Sequence, residues 1–251
     1  MDLALAGQTE EASLRAWPAR EREQLDGWEL RASSGFTKRA NSVQPFGPST
    51  RPVSEIVSDC EKWYAARGLP TIFRLTPFAD PSLDAFLAER AYQLVEPTDV
   101  LVTRLPISER PSSGLELMEL ELGEWLQVYG TLSDKDEASL FCLRAILEAC
   151  GQRRRFGALA AGSQEDSVAC GLAVVDGDLV GLFDLVTAEP YRRRGHGAAL
   201  VAGLLEWGLA QGTQWAYLQV VRTKHPAKAL YEKLGFEKAY EYWYRVQAKR
   251  V

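Results

Sequence analysis

Three consecutive arginines followed by a glycine, a histidine and a second glycine, Arg192-Arg193-Arg194-Gly195-His196-Gly197, are the residues of this 251-residue chain best suited to chemistry. Guanidinium groups match the geometry of phosphate oxygens, and glycines let an anion approach the backbone closely. An apolar run precedes them (Leu179, Val180, Leu182, Phe183, Leu185, Val186) and ends at Thr187. Behind them, Val201, Leu204, Leu205 and Gly208 recur at helical spacing. A strand that turns into a helix over small residues offers unpaired N–H groups and the positive end of the helix dipole, which together suit a pyrophosphate. Two familiar phosphate loops are excluded. Ala198 and Ala199 stand where a Walker loop needs Lys and Ser/Thr, and Leu200 stands where a dinucleotide fingerprint needs its third glycine. On this segment alone, a solvated basic turn with flexible glycines is an equal alternative.

A second constellation follows at Ala229-Leu230-Tyr231-Glu232-Lys233-Leu234-Gly235-Phe236. Pro226 suits the first helical position, with His225 as a helix-start residue, and Gly235 suits the stop. Ala227, Leu230 and Leu234 make a stripe to bury. By its local physics this is a short packed helix.

Taken together and in this order, the two segments resemble the GCN5-related N-acetyltransferase (GNAT) superfamily. Its acetyl-CoA loop reads Arg/Gln-x-x-Gly-x-Gly/Ala, matched by Arg192, Gly195 and Gly197. Its later signature reads Ala-x-x-Leu-Tyr-x-x-x-Gly-Phe, matched around Tyr231. The resemblance implies a cofactor-binding set of Arg192, Arg193, Arg194, Gly195, His196, Gly197 and Ala198 at the phosphates. It places the backbone of Leu185, Val186 and Thr187 along the pantetheine arm, where an amide would also stabilise the oxyanion. Tyr231 would stand near the CoA sulfur as acid to the departing thiolate, or be a ring packed at the sheet edge. Lys224, seven residues earlier, replaces the Asn of many relatives; the Asn contact itself does not carry over, but Lys224 is still expected to face the cofactor and joins Tyr231 in the cofactor-binding set.

The reaction implied is transfer of an acetyl group from acetyl-CoA to a primary amine of a small molecule or protein by direct attack. A non-catalytic acyl-CoA sensor, or transfer of a longer acyl group, is the alternative. Asp184 is the candidate general base or amine ligand. Strand alternation predicts that it points opposite to Phe183 and Leu185. Glu189 reads as a surface charge. Tyr242 and Tyr244 either line an acceptor cleft or pack as aromatics.

The elements that must position these groups are mixed helices and strands, predicting an α/β (α+β) chain with a mixed sheet. A helix is expected over Glu10–Leu25, and a hairpin of Trp28–Ala32 with Phe36–Val43 around Ser33-Ser34-Gly35. Gln44–Pro52 reads as a loop. Helices over Val53–Arg67 and Ser82–Arg90 alternate with strands at Thr71–Leu75, Gln93–Glu96 and Asp99–Leu105. Pro106–Gly114 has linker composition. The division expected is a degenerate GNAT-like copy over 1–108 and an acetyl-CoA-binding copy over 115–251, as two tandem domains. Thr37-Lys38-Arg39-Ala40-Asn41-Ser42 is either part of the acceptor cleft or a satisfied hairpin surface.

Composition sets outer limits. Apolar residues at 46% and charged residues at 25% are those of a globular chain, not a disordered one. No apolar run reaches the ~18 residues that span a bilayer, and the acidic start lacks a secretion signal, so no membrane is expected and the cytoplasm is the expected location. Net charge −5 argues against nucleic acid as a partner. Cys60, Cys142, Cys150 and Cys170 form no Cys-x-x-Cys pair, and with only two histidines no metal site is expected. A monomer or homodimer is expected.

Overall fold

The computed structural model describes residues 2–47, 49–108, 111, 114–160, 163 and 166–247. Helix α1 (Leu3–Ala16) is capped by the Asp2 carboxylate, which accepts from the amides of Ala4 and Leu5. Instead of continuing to Leu25, the chain leaves the helix after Ala16 and forms strand β1 (Glu21–Leu25). Strand β1 pairs with β2 (Trp28–Ala32) across Asp26 and Gly27, both at positive φ, as a two-residue hairpin turn requires. The expected second strand at Phe36–Val43 is a 3-10 turn over Lys38–Ala40. The Asn41 side chain closes it, accepting from the Ser33 and Gly35 amides and donating to the Phe36 and Thr37 carbonyls. A two-residue strand β3 (Gln44–Pro45) completes a small sheet.

Next come α2 (Val53–Ala65), β4 (Ile72–Leu75), α3 (Pro81–Glu89) and β5 (Gln93–Arg104), which is one strand where two were expected. After the proline-rich stretch, of which residues 109, 110, 112 and 113 lie outside the described ones, come β6 (Glu116–Leu120), α4 (Leu122–Ser133), α5 (Glu137–Ala149), β7 (Arg153–Ala160) and β8 (Ser167–Asp176). The chain ends in β9 (Leu179–Thr187), α6 (His196–Ala210), β10 (Trp215–Val221), α7 (His225–Lys233) and β11 (Glu237–Val246).

The main sheet has eight strands in the order β4-β11-β5-β10-β9-β8-β7-β6. Strand β5 lies between β10 and β11 and is antiparallel to both. The stretches 1–108 and 115–251 therefore share one sheet, which no local composition signals.

One sheet face packs under α1, α4 and α5, with Trp17, Trp125, Phe183 and Tyr217 in its core. The other packs under α6 and α7, where Leu200, Val201, Leu204 and Leu205 meet Val180, Leu182 and Leu218. Gly208 lets α6 lie this close, since a Cβ there would fall 2.8 Å from Val180 Cγ1. A third cluster (Trp28, Ile56, Tyr64, Phe73, Leu83) joins α2, α3 and the small sheet. Two buried cations fasten α1. Arg31 donates to the carbonyls of Leu14 and Trp17 near the helix C-terminus. Arg74 pairs with Glu10, which also accepts from the Tyr240 hydroxyl at 2.6 Å.

Candidate functional site

Strands β9 and β10 run parallel, but their pairing stops at Leu182↔Leu218, although β9 continues to Thr187 and β10 to Val221. The cause lies in β9. Against β8, Val186 pairs with Cys170 and Phe183 with Leu172, so β9 carries one extra residue there. Asp184 sits in this bulge at φ +48. A bulge bends the strand that holds it, here away from β10. The gap beyond Leu182 exposes a strand edge over Phe183–Thr187 that β10 does not occupy.

The bulge also corrects the expected direction of Asp184. Phe183 packs in the core under α1 and α4, whereas Leu185 packs against α6. These two therefore lie on opposite faces, because the extra residue breaks the alternation. Asp184 feels the charges of Arg39 and Lys135 and lies beside Tyr129, all on the α1/α4 side. Its Oδ2 is shielded from solvent and has no hydrogen-bond partner. Burial pushes its carboxyl above the ordinary range, with Arg39, Lys135 and Tyr129 opposing.

At the end of β9, a 3-10 turn (Glu189–Tyr191) leads into the glycine loop. Arg192 closes it by donating Nε–H to the Thr187 carbonyl at 3.1 Å. Arg193 (φ +59) and Gly195 (φ +85) are left-handed. Arg194 lies over the Tyr191 ring, and all three arginines are exposed. Gly195 caps α6 without a side chain, so the first-turn N–H groups meet no capping oxygen. A Cβ at Gly197 would lie 3.2 Å from Leu230 Cδ1 and 3.3 Å from Thr187 Oγ1, so the space between β9 and α7 depends on its being glycine. His196 is buried, with Nδ1 unpartnered. Ala198 packs inward beside Leu200. Bare amides, exposed guanidinium groups and an open strand edge in sequence fit a long diphosphate thioester.

Helix α7 brings Tyr231 against the α6 side of the core, edge-on to Phe236. Burial pushes its phenol up to about 12, so at neutral pH it keeps its proton. Lys224 and His225 are exposed at the start of α7, and Glu189 is exposed on the loop. Tyr242 and Tyr244 are buried under α1 with Ala6 and Tyr240, and the Tyr242 hydroxyl donates to Gln219 on β10 at 2.9 Å. Three residues near Asp184 carry no local motif: Arg39, Tyr129 and Lys135. Of these, only Arg39 lies in a segment whose sequence singled it out. Among the described residues, no group of His, Cys, Asp or Glu could hold a metal, and no helix is long and apolar enough to cross a membrane.

A family model described as "Probable histone acetyltransferase Rv0428c C-terminal" matches residues 6–245. Among similar proteins, the uncharacterized N-acetyltransferase YobR of Bacillus subtilis is 27% identical over 95% of this chain and 97% of its own length. The probable histone acetyltransferase Rv0428c of Mycobacterium tuberculosis is 29% identical over 90% of this chain and 69% of its own. Among solved structures, a GCN5-related N-acetyltransferase from Kribbella flavida superposes with a TM-score of 0.71 at 15% identity, covering 98% of this chain and 95% of its own.

Proposed function

Since the chain belongs to the Rv0428c C-terminal family, within the GNAT superfamily, it is an acyltransferase, and we propose that it moves an acetyl group from acetyl-CoA to a primary amine. The observation that carries this reading is the parting of β9 and β10 beside the uncapped N-terminus of α6. In the reading, the α6 amides and the glycine loop hold the pyrophosphate, and the free edge of Phe183–Thr187 pairs with the pantetheine arm. Acetyl-CoA supplies the activated thioester. The amine approaches from the α1/α4 face, where Asp184 takes its proton directly or through water. A backbone amide of the bulged segment stabilises the oxyanion. Tyr231, on the α6/α7 face, protonates the departing thiolate. The acid and the base thus lie on opposite faces, joined through the gap. Steady-state thiol release with a panel of amines, beside calorimetry with acetyl-CoA, tests it. Tight binding without turnover on any amine would leave the sensor in its place.

We further read 1–108 as a degenerate copy of 115–251, on two supports. The orders α2-β4-α3-β5 and α6-β10-α7-β11 are the same. The strand sequence β4-β11-β5-β10 maps onto itself when β4 is exchanged with β10 and β5 with β11. Each half thus places its last strand beside the other's. Left-handed Ala91 after α3 matches Gly235 after α7, which sets Leu87 at the Tyr231 position, and α2 begins without a glycine loop. The first copy thus lacks both the acid and the phosphate grip.

A further inference from the structure

Arg39 stands in the 3-10 turn that Asn41 closes, in the first half of the chain, yet it reaches the face where Asp184 lies. Its guanidinium carbon is 4.7 Å from the Trp17 ring centroid and 5.5 Å from that of Phe183, the residue before Asp184. Its Nη1 is shielded from solvent without a hydrogen-bond partner. Its charge acts on Asp184 in β9, Tyr129 in α4, Tyr217 in β10 and Tyr244 in β11, so it stands over the centre of this face. The neighbouring Lys38 is already engaged, 2.6 Å from Glu96.

A shielded donor on a permanent cation and a shielded acceptor on a carboxylate, both unmatched, are costly unless a bound group satisfies them. The two carry opposite charge. A ligand that satisfies both must offer a cation or N–H donor to Asp184 and an anion to Arg39. The guanidinium lies over two aromatic rings, and its fork of N–H donors matches the two oxygens of a carboxylate.

We propose that the acceptor is an amine that also carries a carboxylate, with Arg39 holding the carboxylate while the amine faces Asp184. The inference rests on the acetyl-transfer reading for the position of the amine. It makes the first half of the chain part of acceptor recognition, although that half has lost its own phosphate loop.

The test is thiol release by the full chain with acetyl-CoA and α-, β- and γ-amino acids, each compared with its own carboxamide, in wild type, Arg39→Met and Arg39→Lys. The wild type should favour one class of free acid over its amide by about 10–100-fold in kcat/KM, the range a charge-assisted hydrogen bond supplies. Arg39→Met should lose that preference mainly through KM, with acetyl-CoA affinity retained and the melting temperature no lower than that of wild type. Arg39→Lys should restore part of it. Equal rates for acid and amide in wild type, or a preference that survives in Arg39→Met, would overturn the proposal. If no amine turns over at all, the transfer reading fails. Calorimetry of the same acids and amides on the CoA-saturated chain then decides the Arg39 proposal: heat for the acid that vanishes in Arg39→Met upholds it, and no such heat sinks it.

Discussion

The Trp125 indole donates Nε1–H to the Gly171 carbonyl at 3.1 Å, and Gly171 is the β8 residue that faces the β9 bulge at Asp184. The bulge disrupts the ladder locally, and a buried carbonyl there needs a donor from elsewhere. Helix α4 supplies it. The same indole stacks on Tyr129 with ring centroids 4.9 Å apart, and Tyr129 lies beside Asp184. One side chain therefore supports both the bend in the strand and the wall next to the carboxylate. Trp125→Phe keeps the ring and removes the donor. It should cost about 1–3 kcal/mol in urea denaturation and lower kcat more than it weakens acetyl-CoA binding.

Gly197→Glu should abolish acetyl-CoA binding in a chain that still folds, because it places a carboxylate and its bulk between Thr187 and Leu230, where phosphate is expected. Gly197→Ala should be milder, since its Cβ asks its neighbours to yield by only a few tenths of an ångström. Calorimetry with circular dichroism as the fold control reads both. Unchanged affinity in a folded Gly197→Glu would remove the phosphate site from this loop.

Tyr231→Phe should lower kcat by about 10²–10⁴-fold, as loss of a general acid does, and leave acetyl-CoA affinity nearly intact. Its phenol is pushed up to about 12, so the wild-type rate should show no fall from this group below pH 10. A kcat equal to that of wild type would reduce Tyr231 to a packed ring.

Asp184→Asn tests the base and carries a sign. Burial raises the native carboxyl pKa above its unfolded value, so the native state holds the proton more tightly. Native stability is then greatest below the unfolded pKa and declines as pH rises through the native one. The Asn variant, free of that cost, should melt higher than wild type at pH 8 and no higher at pH 3.5. Each kcal/mol gained is worth about 2–4 °C in a chain of this size. Its kcat/KM should fall and lose the acid limb of the wild-type profile. A higher melting point together with unchanged turnover would separate the burial cost from any catalytic role.

The Glu10–Arg74 pair is buried on both sides and links α1 to β4, while Tyr240 ties it to β11. Glu10→Leu alone should cost about 3–5 kcal/mol, because Arg74 would then be a buried unpaired charge. Glu10→Leu with Arg74→Met should regain most of that in denaturant melts. A double variant as unstable as the single one would mean that the ion pair itself, not its burial, holds the helix.

The strand–turn–helix around Arg192–Gly197 was legible because two glycines, three arginines and an apolar strand carry their meaning locally. The helix around Tyr231 was legible from Pro226 and Gly235 for the same reason. What escaped was decided at a distance. Glu21–Leu25 is charged and helix-prone, yet it pairs with β2, and the Asp26-Gly27 turn was the one local hint. Phe36–Val43 has strand residues, but the Asn41 side chain folds it into a turn. Alternation misdirected Asp184 because it counts residues and cannot see a bulge. Arg39 and Tyr129 act on Asp184 across 145 and 55 positions of chain, and no motif spans such separations.

Strand β11 ends at Val246 and is bordered by β4 on one side and β5 on the other. During synthesis, β4 and β5 leave the ribosome long before the strand that must separate them. Until Glu237–Val246 emerges, β4 and β5 have unmatched backbone edges, and the early half cannot finish its share of the sheet. A frameshift or nonsense change just before Glu237 would therefore strip a middle strand from the sheet and should leave nascent chains dependent on chaperones.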